Sequence, residues 1–281
     1  MSISPDTRSS DLTWGAFTEN GPWDVDRADL AWSSGIDELR RRARADVPIL
    51  TKAGRIPPGS RVVTVGRHIV GALGGCYVAK RRGRFADQSA SRAELSLRLR
   101  RAVETLGPTY IKLGQIISSG EGLFPSELVD QFKLCRDRVP AEPFSTVRLT
   151  VESDLGARLG DIFEWFDETP LAAASIAQVH AARLRTGEDV VVEVQRPDVS
   201  SLVRRDLRVM SYIAPHLVGR IPVAALANPP ALVELFAETI VEELDFRLEA
   251  SNMIDVAATL RDLGQEGYVI PRPHPRLVTR R

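Results

Sequence analysis

The chain has few of the residues that disulfide-rich, metal-binding and nucleic-acid-binding proteins require. Among its 281 residues there are two cysteines, Cys76 and Cys135, which lie far apart. They supply neither a disulfide framework nor a zinc-ligand spacing, and such low use is typical of a reducing, cytoplasmic compartment. The four histidines are dispersed, so the sequence predicts no metal site. The formal net charge is zero, so bulk charge gives no reason to expect a nucleic-acid partner.

Long apolar runs are also scarce. Residues 2–20 are polar and show no apolar core of a secretory signal peptide. The longest apolar stretch runs from Val62 to Ala79, and its Arg67, His68 and glycines make it a poor membrane-spanning helix. Two interpretations of this stretch stay open, a packed helix or a helix on a membrane surface. We therefore expect a cytoplasmic protein, peripheral to a membrane if the second interpretation holds.

The distribution of polar and apolar residues divides the chain into four regions. Residues 1–28 are polar and predict a disordered or loosely docked tail. Residues 29–84 predict a helical region, whose arginine-rich segment at 37–45 we interpret as a solvated helix face. Residues 85–160 predict a second helical region, and residues 161–281 mix strand and helix patterns.

The stretch from residue 170 to residue 197 carries the most chemistry. It predicts two strands joined by a turn, in which Gly187 supplies a positive φ. The second strand is the apolar run Val190–Val194, and a charge at its centre, Glu193, needs a partner or a ligand. The first strand carries a loop of small residues, which lets backbone N–H groups approach a phosphate. This loop consists of Ala172, Ala173, Ala174, Ser175, Ile176, Ala177, Gln178 and Val179.

Three blocks of this sequence together resemble the UbiB/ADCK (aarF-domain) family of atypical kinase-like proteins. The first is the alanine-rich loop, which this family has in place of a glycine-rich loop. The second is a Lys-x-Gly-Gln signature, here from Lys112 to Gln115. The third is a Glu-x-Asp pair followed by a helix glutamate, here Glu243, Asp245 and Glu249.

The resemblance covers roughly residues 85–281 and implies an α+β fold, the N-lobe of a protein kinase. This lobe would combine an antiparallel sheet of about five strands with a long αC-like helix and the helical extension at 85–160. We expect short strands at Tyr268–Ile270 and Arg276–Thr279, and one long helix from Pro229 through Asn252. The 32 residues after Glu249 contain neither His-x-Asp nor Asp-Phe-Gly, so we expect the chain to stop before the catalytic loop, without a C-lobe.

The resemblance also implies a site for ATP or ADP with Mg²⁺, bounded by the loop and by the acids of the third block. Lys112 and Gln115 would lie one turn apart on a helix over this site. Lys112 would form a buried ion pair with Glu243 and Asp245. We expect His180, next to the loop, to be a packed strand histidine and not a general base.

Glu193 departs from the kinase pattern, because a lysine that grips phosphates normally occupies its position. Glu249 matches the glutamate that orients this lysine. Two carboxylates facing each other would raise the pKa of one of them or hold a cation between them. Alternatively, Lys112 reaches one of them, or Glu193 turns to solvent. Each alternative weakens phosphate binding.

For function, the resemblance implies ATP binding or ATPase activity linked to isoprenoid quinone or lipid metabolism. Glu193 and the expected lack of a catalytic loop predict a protein that is catalytically inactive on its own. One alternative is a non-enzymatic binding or regulatory module, which would pair with a C-lobe-containing partner, a second copy or a lipid-like ligand. Another is a decaying fragment of a split gene.

Overall fold

The structure is a computed structural model that describes residues 30–83, 85, 87–135, 140–218, 228–265, 268 and 270–281. The predicted N-terminal tail lies outside these residues. The described parts contain ten helices: α1 (Ile36–Leu50), α2 (Arg61–Arg81), α3 (Gln88–Leu106), α4 (Pro108–Ser118), α5 (Ser126–Lys133), α6 (Phe144–Leu155), α7 (Leu159–Ile162), α8 (Val199–Leu217), α9 (Pro229–Glu243) and α10 (Phe246–Asp262).

Local sequence explains where several of these helices begin and end. α3 begins after Asp87, whose carboxylate accepts a hydrogen bond from the backbone N–H of Ala90 at 2.7 Å. It ends at Gly107, whose φ of 102° suits a residue without a Cβ, and Pro108 then starts α4. α6 ends at Gly156, which has a φ of 65°. The chain thus turns between helices where the sequence places glycine.

The four strands form one antiparallel sheet: β1 (Phe163–Phe166), β2 (Ala172–Ala173), β3 (Ala177–Leu184) and β4 (Asp189–Gln195). β3 is central, since β1 and β2 pair with its two ends along one side and β4 pairs along the other. The register places Val179 opposite Glu193. Among the described residues, no strand pairs with the outer edge of β4. The predicted α+β architecture is confirmed.

Three details of the prediction are wrong. The expected long helix from Pro229 through Asn252 is broken after Glu243, because the Asp245 carboxylate accepts the N–H of Arg247 at 3.2 Å and starts α10 as its N-cap. The expected strand at Arg276–Thr279 is a turn followed by irregular chain. Tyr268 and Ile270 are not in a strand either, and residue 269 lies outside the described part.

The C-terminal segment, residues 270–281, has scattered hydrogen-bond partners and no strand ladder. The carbonyl of Pro275 accepts from the N–H of Ala31 at 3.2 Å, and that of Arg280 accepts from the N–H of Phe246 at 3.1 Å. Three prolines, at 271, 273 and 275, have no N–H to donate. The segment is therefore fastened to the N-terminal part and to α10 without joining the sheet.

The helical core is centred on α8 and α9, where Leu207, Phe236 and Ile240 are fully buried. A charged pair ties α2 to this core. The Nε of Arg61 lies 2.8 Å from Oδ1 of Asp206, which is fully buried, and an Nη of Arg61 donates to the carbonyl of Leu106 at 2.6 Å. Breaking such a pair leaves a desolvated charge in the protein interior. The pair therefore holds α2, α3 and α8 in one arrangement.

One face of α2 packs and the other does not. Val65, Ala72 and Cys76 are buried on the packed side, whereas Val63, Val70 and Tyr77 are exposed. In the part of the chain that the structure describes, α2 is the one helix long and apolar enough to cross a membrane. The packed-helix interpretation thus holds for one side, and the exposed side stays available for another contact.

Candidate functional site

The cavity that holds most of the predicted site residues has a volume of about 840 Å³. It lies between the alanine-rich loop, the centre of β4, and helices α4, α9 and α10. Five carboxylates and two cations line it, so the cavity carries an excess of negative charge. The complete lining is Arg44, Lys112, Ala174, Ser175, Ile176, Glu193, Glu238, Thr239, Glu242, Glu243, Glu249 and Asn252.

The loop above the cavity is shaped by Arg196, which follows β4 and is 7% exposed. Its Nε donates to the carbonyl of Ala174 at 3.0 Å, and its backbone N–H donates to the carbonyl of Ile176 at 2.8 Å. The guanidinium also lies 2.8 Å from a Glu142 carboxylate oxygen and 2.9 Å from the carbonyl of Pro140. The N–H of Ala174 is bonded to the carbonyl of Ala177 at 2.8 Å, so it is committed within the loop.

Gln178 and His180 lie away from this cavity and are almost fully buried. The Gln178 carbonyl oxygen accepts the N–H of Glu142 at 2.8 Å, and its amide nitrogen lies 2.8 Å from Nε2 of His180. The Nδ1 of His180 lies 2.7 Å from the carbonyl of Asp167. A neutral ring that donates from Nδ1 and accepts at Nε2 satisfies both contacts. The prediction of a packed strand histidine is confirmed.

Lys112 pairs with Glu243, with 2.8 Å between Nζ and Oε1. The predicted burial of this pair is wrong, because both side chains are 26% exposed. Asp245 does not take part. Its carboxylate lies 2.7 Å from an Nη of Arg247, since Asp245 caps α10 after the break that ends α9. Lys112 therefore meets one acid of the Glu-x-Asp pair.

Glu193 and Glu249 share the cavity with this ion pair. Burial, with the charges of Glu249 and Glu243, raises the pKa of Glu193 to about 7, and Lys112 opposes the shift. Burial and the charge of Glu243 also raise the pKa of Glu249. Both side chains are nevertheless exposed to solvent, because the cavity is open, so burial removes only part of their hydration. Of the alternatives left open, a bridge from Lys112 to these carboxylates is not formed, since the ion pair of Lys112 is with Glu243, whereas the exposure of Glu193 to solvent and the repulsion from Glu249 occur together.

No cation within 4.0 Å neutralises Glu193 or Glu249 in the described ranges. Arg44, the second cation of the cavity, lies 2.9 Å from a Glu242 oxygen. No group of three metal-ligating side chains occurs among the described residues either. The cavity is thus an acidic site whose two positive charges are already engaged by carboxylates of α9.

The structure brings about half of the predicted site residues together. Those that line the cavity are Lys112, Ala174, Ser175, Ile176, Glu193, Glu243 and Glu249. Those that do not are Gln115, Ala172, Ala173, Ala177, Gln178, Val179 and Asp245.

Sequence reasoning missed Arg44, which lines the cavity, and Arg196, which shapes the loop above it. Arg44 belongs to the segment interpreted as a solvated face, and it reaches Glu242 across the fold. Arg196 directly follows the two buried residues that end β4, and a charge at that place is a signal for a structural role.

Comparisons with known proteins identify relatives of this chain. Residues 134–281 match the ABC1 atypical kinase-like domain. The "Probable protein kinase UbiB" of Pseudomonas putida (strain W619) is 42% identical over 170 residues, which cover 60% of this chain and 31% of that protein. The protein of the same name from Aeromonas hydrophila subsp. hydrophila is 38% identical over 175 residues, which cover 62% of this chain and 32% of that protein. The chain spans about a third of the length of these curated relatives.

One solved structure is also similar, described as "The complex structure of Rv3197-erythromycin from Mycobacterium tuberculosis". It is 31% identical in sequence and aligns with a TM-score of 0.39, covering 57% of this chain and 40% of that one.

The raised pKa of Glu193 has a consequence for stability. Between its ordinary value of 4.5 and about 7, the folded protein holds a proton at Glu193 that the unfolded chain has lost. The free energy of unfolding should therefore fall as pH rises through this window and level off above it. Glu193→Gln, which does not titrate, should gain stability relative to the wild type across the same window.

Urea unfolding followed by circular dichroism between pH 4 and 8 measures this difference. Glu164→Gln, an exposed position on β1, is the matched control and should run parallel to the wild type. Parallel curves for Glu193→Gln as well would show that the carboxylate is not perturbed.

Proposed function

The chain belongs to the ABC1 atypical kinase-like family, and we propose that it is a UbiB-type kinase-like protein that does not transfer phosphate by itself. The observation that carries the proposal is Glu193, a carboxylate where kinases have the lysine that grips the α- and β-phosphates. It stands beside Glu249, the position that orients this lysine in kinases. The catalytic pair of a kinase lobe is thus replaced by two acids.

Electrostatics argues against a triphosphate in the cavity. Two like charges about 4 Å apart repel by roughly 4 kcal/mol at an effective dielectric constant of about 20. A lysine at position 193 would attract a phosphate by a similar amount. A glutamate at this position therefore both removes that attraction and adds a repulsion. Lys112 does not compensate, since Glu243 already engages it. The residues present therefore do not fit the phosphates of ATP.

A weaker role in nucleotide binding is compatible with the rest of the cavity. Ala174, Ser175 and Ile176 offer a loop with small side chains, which suits the flat surface of a base and a ribose. Mg²⁺ bound to ATP or ADP would lessen the repulsion of the phosphates, because it reduces their charge. We propose that nucleotide is a weak, regulatory ligand here and that the chain acts as a binding module in isoprenoid quinone or lipid metabolism.

Thermal shift with ATP and ADP, with and without Mg²⁺, tests the proposal. The wild type should show little stabilisation by nucleotide. Glu193→Lys should bind ATP at least about tenfold more tightly, because an attracting charge replaces a repelling one and about 1.4 kcal/mol of binding free energy corresponds to that factor. Glu164→Lys makes the same charge change on exposed β1 and should leave affinity unchanged.

Phosphate release measured on the wild-type chain should stay at background. ATP turnover that is lost in both Lys112→Ala and Glu249→Ala would contradict the proposal, because it would show a working site built from these residues. Loss of quinone in cells that lack the chain, restored by the wild type and by Glu193→Gln, would support the metabolic assignment without requiring catalysis.

We also propose that α2 places the chain on a membrane surface. Its unpacked side presents Val63, Val70 and Tyr77, and Lys80 and Arg81 lie in its last turn. An exposed apolar stripe next to basic residues matches the surface of an anionic bilayer. The buried opposite face keeps α2 attached to α3 and α8, so the helix would lie on the membrane and not cross it.

Sedimentation with phosphatidylglycerol vesicles, compared with phosphatidylcholine vesicles, measures this contact. Val70→Glu should reduce the bound fraction several-fold, because it places a negative charge in the apolar stripe. Leu149→Glu, equally exposed on α6, is the control and should bind like the wild type. Equal reductions of the bound fraction in both variants, or no binding of the wild type, would contradict the proposal.

A further inference from the structure

Four of the five carboxylates that line the acidic cavity come from two consecutive helices, α9 and α10. Glu243 is the last residue of α9, and Glu249 lies in the first turn of α10. Leu244 and Asp245 separate the two helices. The conformation of these two residues therefore decides how Glu243 and Glu249 are oriented relative to each other.

A continuous helix would point Glu243 and Glu249 in different directions. Residues six positions apart on an α-helix differ by about 600° of rotation, which places their side chains about 120° apart around the axis. In the structure both residues line the same cavity, and the charge of Glu243 contributes to the raised pKa of Glu249. The break between α9 and α10 therefore contributes to the geometry of the site.

The apolar pattern by itself favours a continuous helix through this junction. Ile240, Leu244 and Leu248 are buried, and their spacing is that of one helix face. A helix continues through such a pattern unless a residue at the junction prevents it. The structure places that residue at position 245.

Asp245 breaks the helix and starts the next one. Its backbone is extended, with a φ of −138° and a ψ of 103°, and the residue is 7% exposed. Its carboxylate accepts hydrogen bonds from the backbone N–H of Arg247 at 3.2 Å and from Nε and an Nη of Arg247 at 2.9 and 2.7 Å. Its carbonyl accepts the N–H of Leu248 at 2.9 Å, at the start of α10. These contacts hold Asp245 in the conformation of a helix N-cap.

Asp245 does not act on the cavity directly. It does not line the cavity, and Arg247 engages its carboxylate, whereas Lys112 pairs with Glu243. Its effect on the cavity passes through α10, because Glu249 lies about one turn into the helix that Asp245 caps. The direction of the Glu249 side chain thus depends on where this cap starts α10.

We propose that Asp245 is a positioning residue of the acidic cavity: by ending α9 and capping α10, it turns Glu249 toward Glu193 and Glu243. The proposal rests on the proposed function only in that it concerns the same cavity. It requires neither a bound nucleotide nor the absence of phosphate transfer. The second acid of the Glu-x-Asp pair thereby has a role separate from that of Glu243, which engages Lys112.

Three substitutions at position 245 separate the cap from the charge. Asparagine caps helices about as well as aspartate does but carries no charge, so Asp245→Asn should keep the break. Alanine and glutamate are good helix formers and are not favoured at N-caps, so Asp245→Ala and Asp245→Glu should let α9 continue into α10. Asp245→Glu also keeps the negative charge, so it retains what Asp245→Asn removes and removes what Asp245→Asn retains.

The titration of the Glu193 side chain, followed by carbon-detected NMR on the full chain, reports the position of Glu249. In Asp245→Ala and Asp245→Glu the pKa of Glu193 should fall from about 7 by as much as in Glu249→Gln. Asp245→Asn should titrate like the wild type. In the double variant Asp245→Ala/Glu249→Gln the fall should not exceed that of Glu249→Gln alone, since both changes remove the same repelling charge.

Backbone chemical shifts in the same samples show whether the break is present. Position 245 should be extended in the wild type and in Asp245→Asn, and helical in Asp245→Ala and Asp245→Glu. Asp262→Ala is the matched control, because it removes another aspartate that pairs with a neighbouring arginine, at the exposed end of α10. It should leave both the junction and the pKa of Glu193 unchanged.

Four results would overturn the proposal. The first is an extended position 245 in the alanine and glutamate variants, because the cap would then not cause the break. The second is a helical junction with an unchanged pKa of Glu193. The third is a fall in Asp245→Asn equal to that in Asp245→Ala, which would assign the effect to charge. The fourth is a wild-type Glu193 that titrates near 4.5, because Glu249 would then have no effect to be positioned.

Two features keep the test independent of folding and of the proposed function. If Asp245→Ala does not fold, Asp245→Glu and Asp245→Asn carry the same comparison. No nucleotide enters the measurement. ATP turnover by the wild type would therefore contradict the proposed function and leave the role of Asp245 standing, whereas the four results above would remove that role and leave the proposed function standing.

Discussion

Burial of carboxylates at the centre of β4 and in the first turn of α10, together with the repulsion from neighbouring carboxylates, sets the charge of the main cavity of this protein. Glu193 and Glu249 lie where the fold removes part of their hydration, and Glu243 adds a third negative charge nearby. Lys112 opposes the shift of both pKa values, but its ion pair is with Glu243. The cavity therefore carries more negative than positive charge, which disfavours the phosphate that our proposal excludes.

The surrounding scaffold is built to hold this site firmly. Arg196 fastens the alanine-rich loop to the chain around Glu142, so the loop does not depend on a ligand for its shape. Arg61 and Asp206 fix α2 against α8 beneath it. These charged contacts are satisfied within the fold, whereas Glu193 and Glu249 have each other as close neighbours.

Sequence reasoning predicts the local features of this fold well. The β3–β4 hairpin, the glycine breaks after α3 and α6, and the helix α8 follow from turn residues and periodicity. It fails where long-range contacts decide. Asp245 ends one helix and caps the next, although the apolar pattern continues through it. Residues 276–279 carry a strand-like pattern, but the three prolines just before them and the distant hydrogen-bond partners of this segment keep it out of the sheet.

The candidate site shows the same division between local patterns, which the sequence reveals, and long-range contacts, which it does not. Lys112, Glu243, Glu193 and Glu249 are readable because they fall in recognisable blocks at fixed spacing. Arg44 is not, since its contact with Glu242 joins helices 198 positions apart in sequence, and no local pattern records that pairing. The acidic character of the cavity is thus partly visible in the sequence, whereas the engagement of its two cations by Glu242 and Glu243 is visible in the structure alone.

The coupling between the two carboxylates is the central claim, and carbon-detected NMR titration of the glutamate side chains tests it most directly. The claim predicts that Glu193 titrates near pH 7, and that Glu249→Gln moves its pKa down because one repelling charge is removed. A Glu193 carboxyl that titrates near 4.5 in the wild type, or one that does not respond to Glu249→Gln, would contradict it.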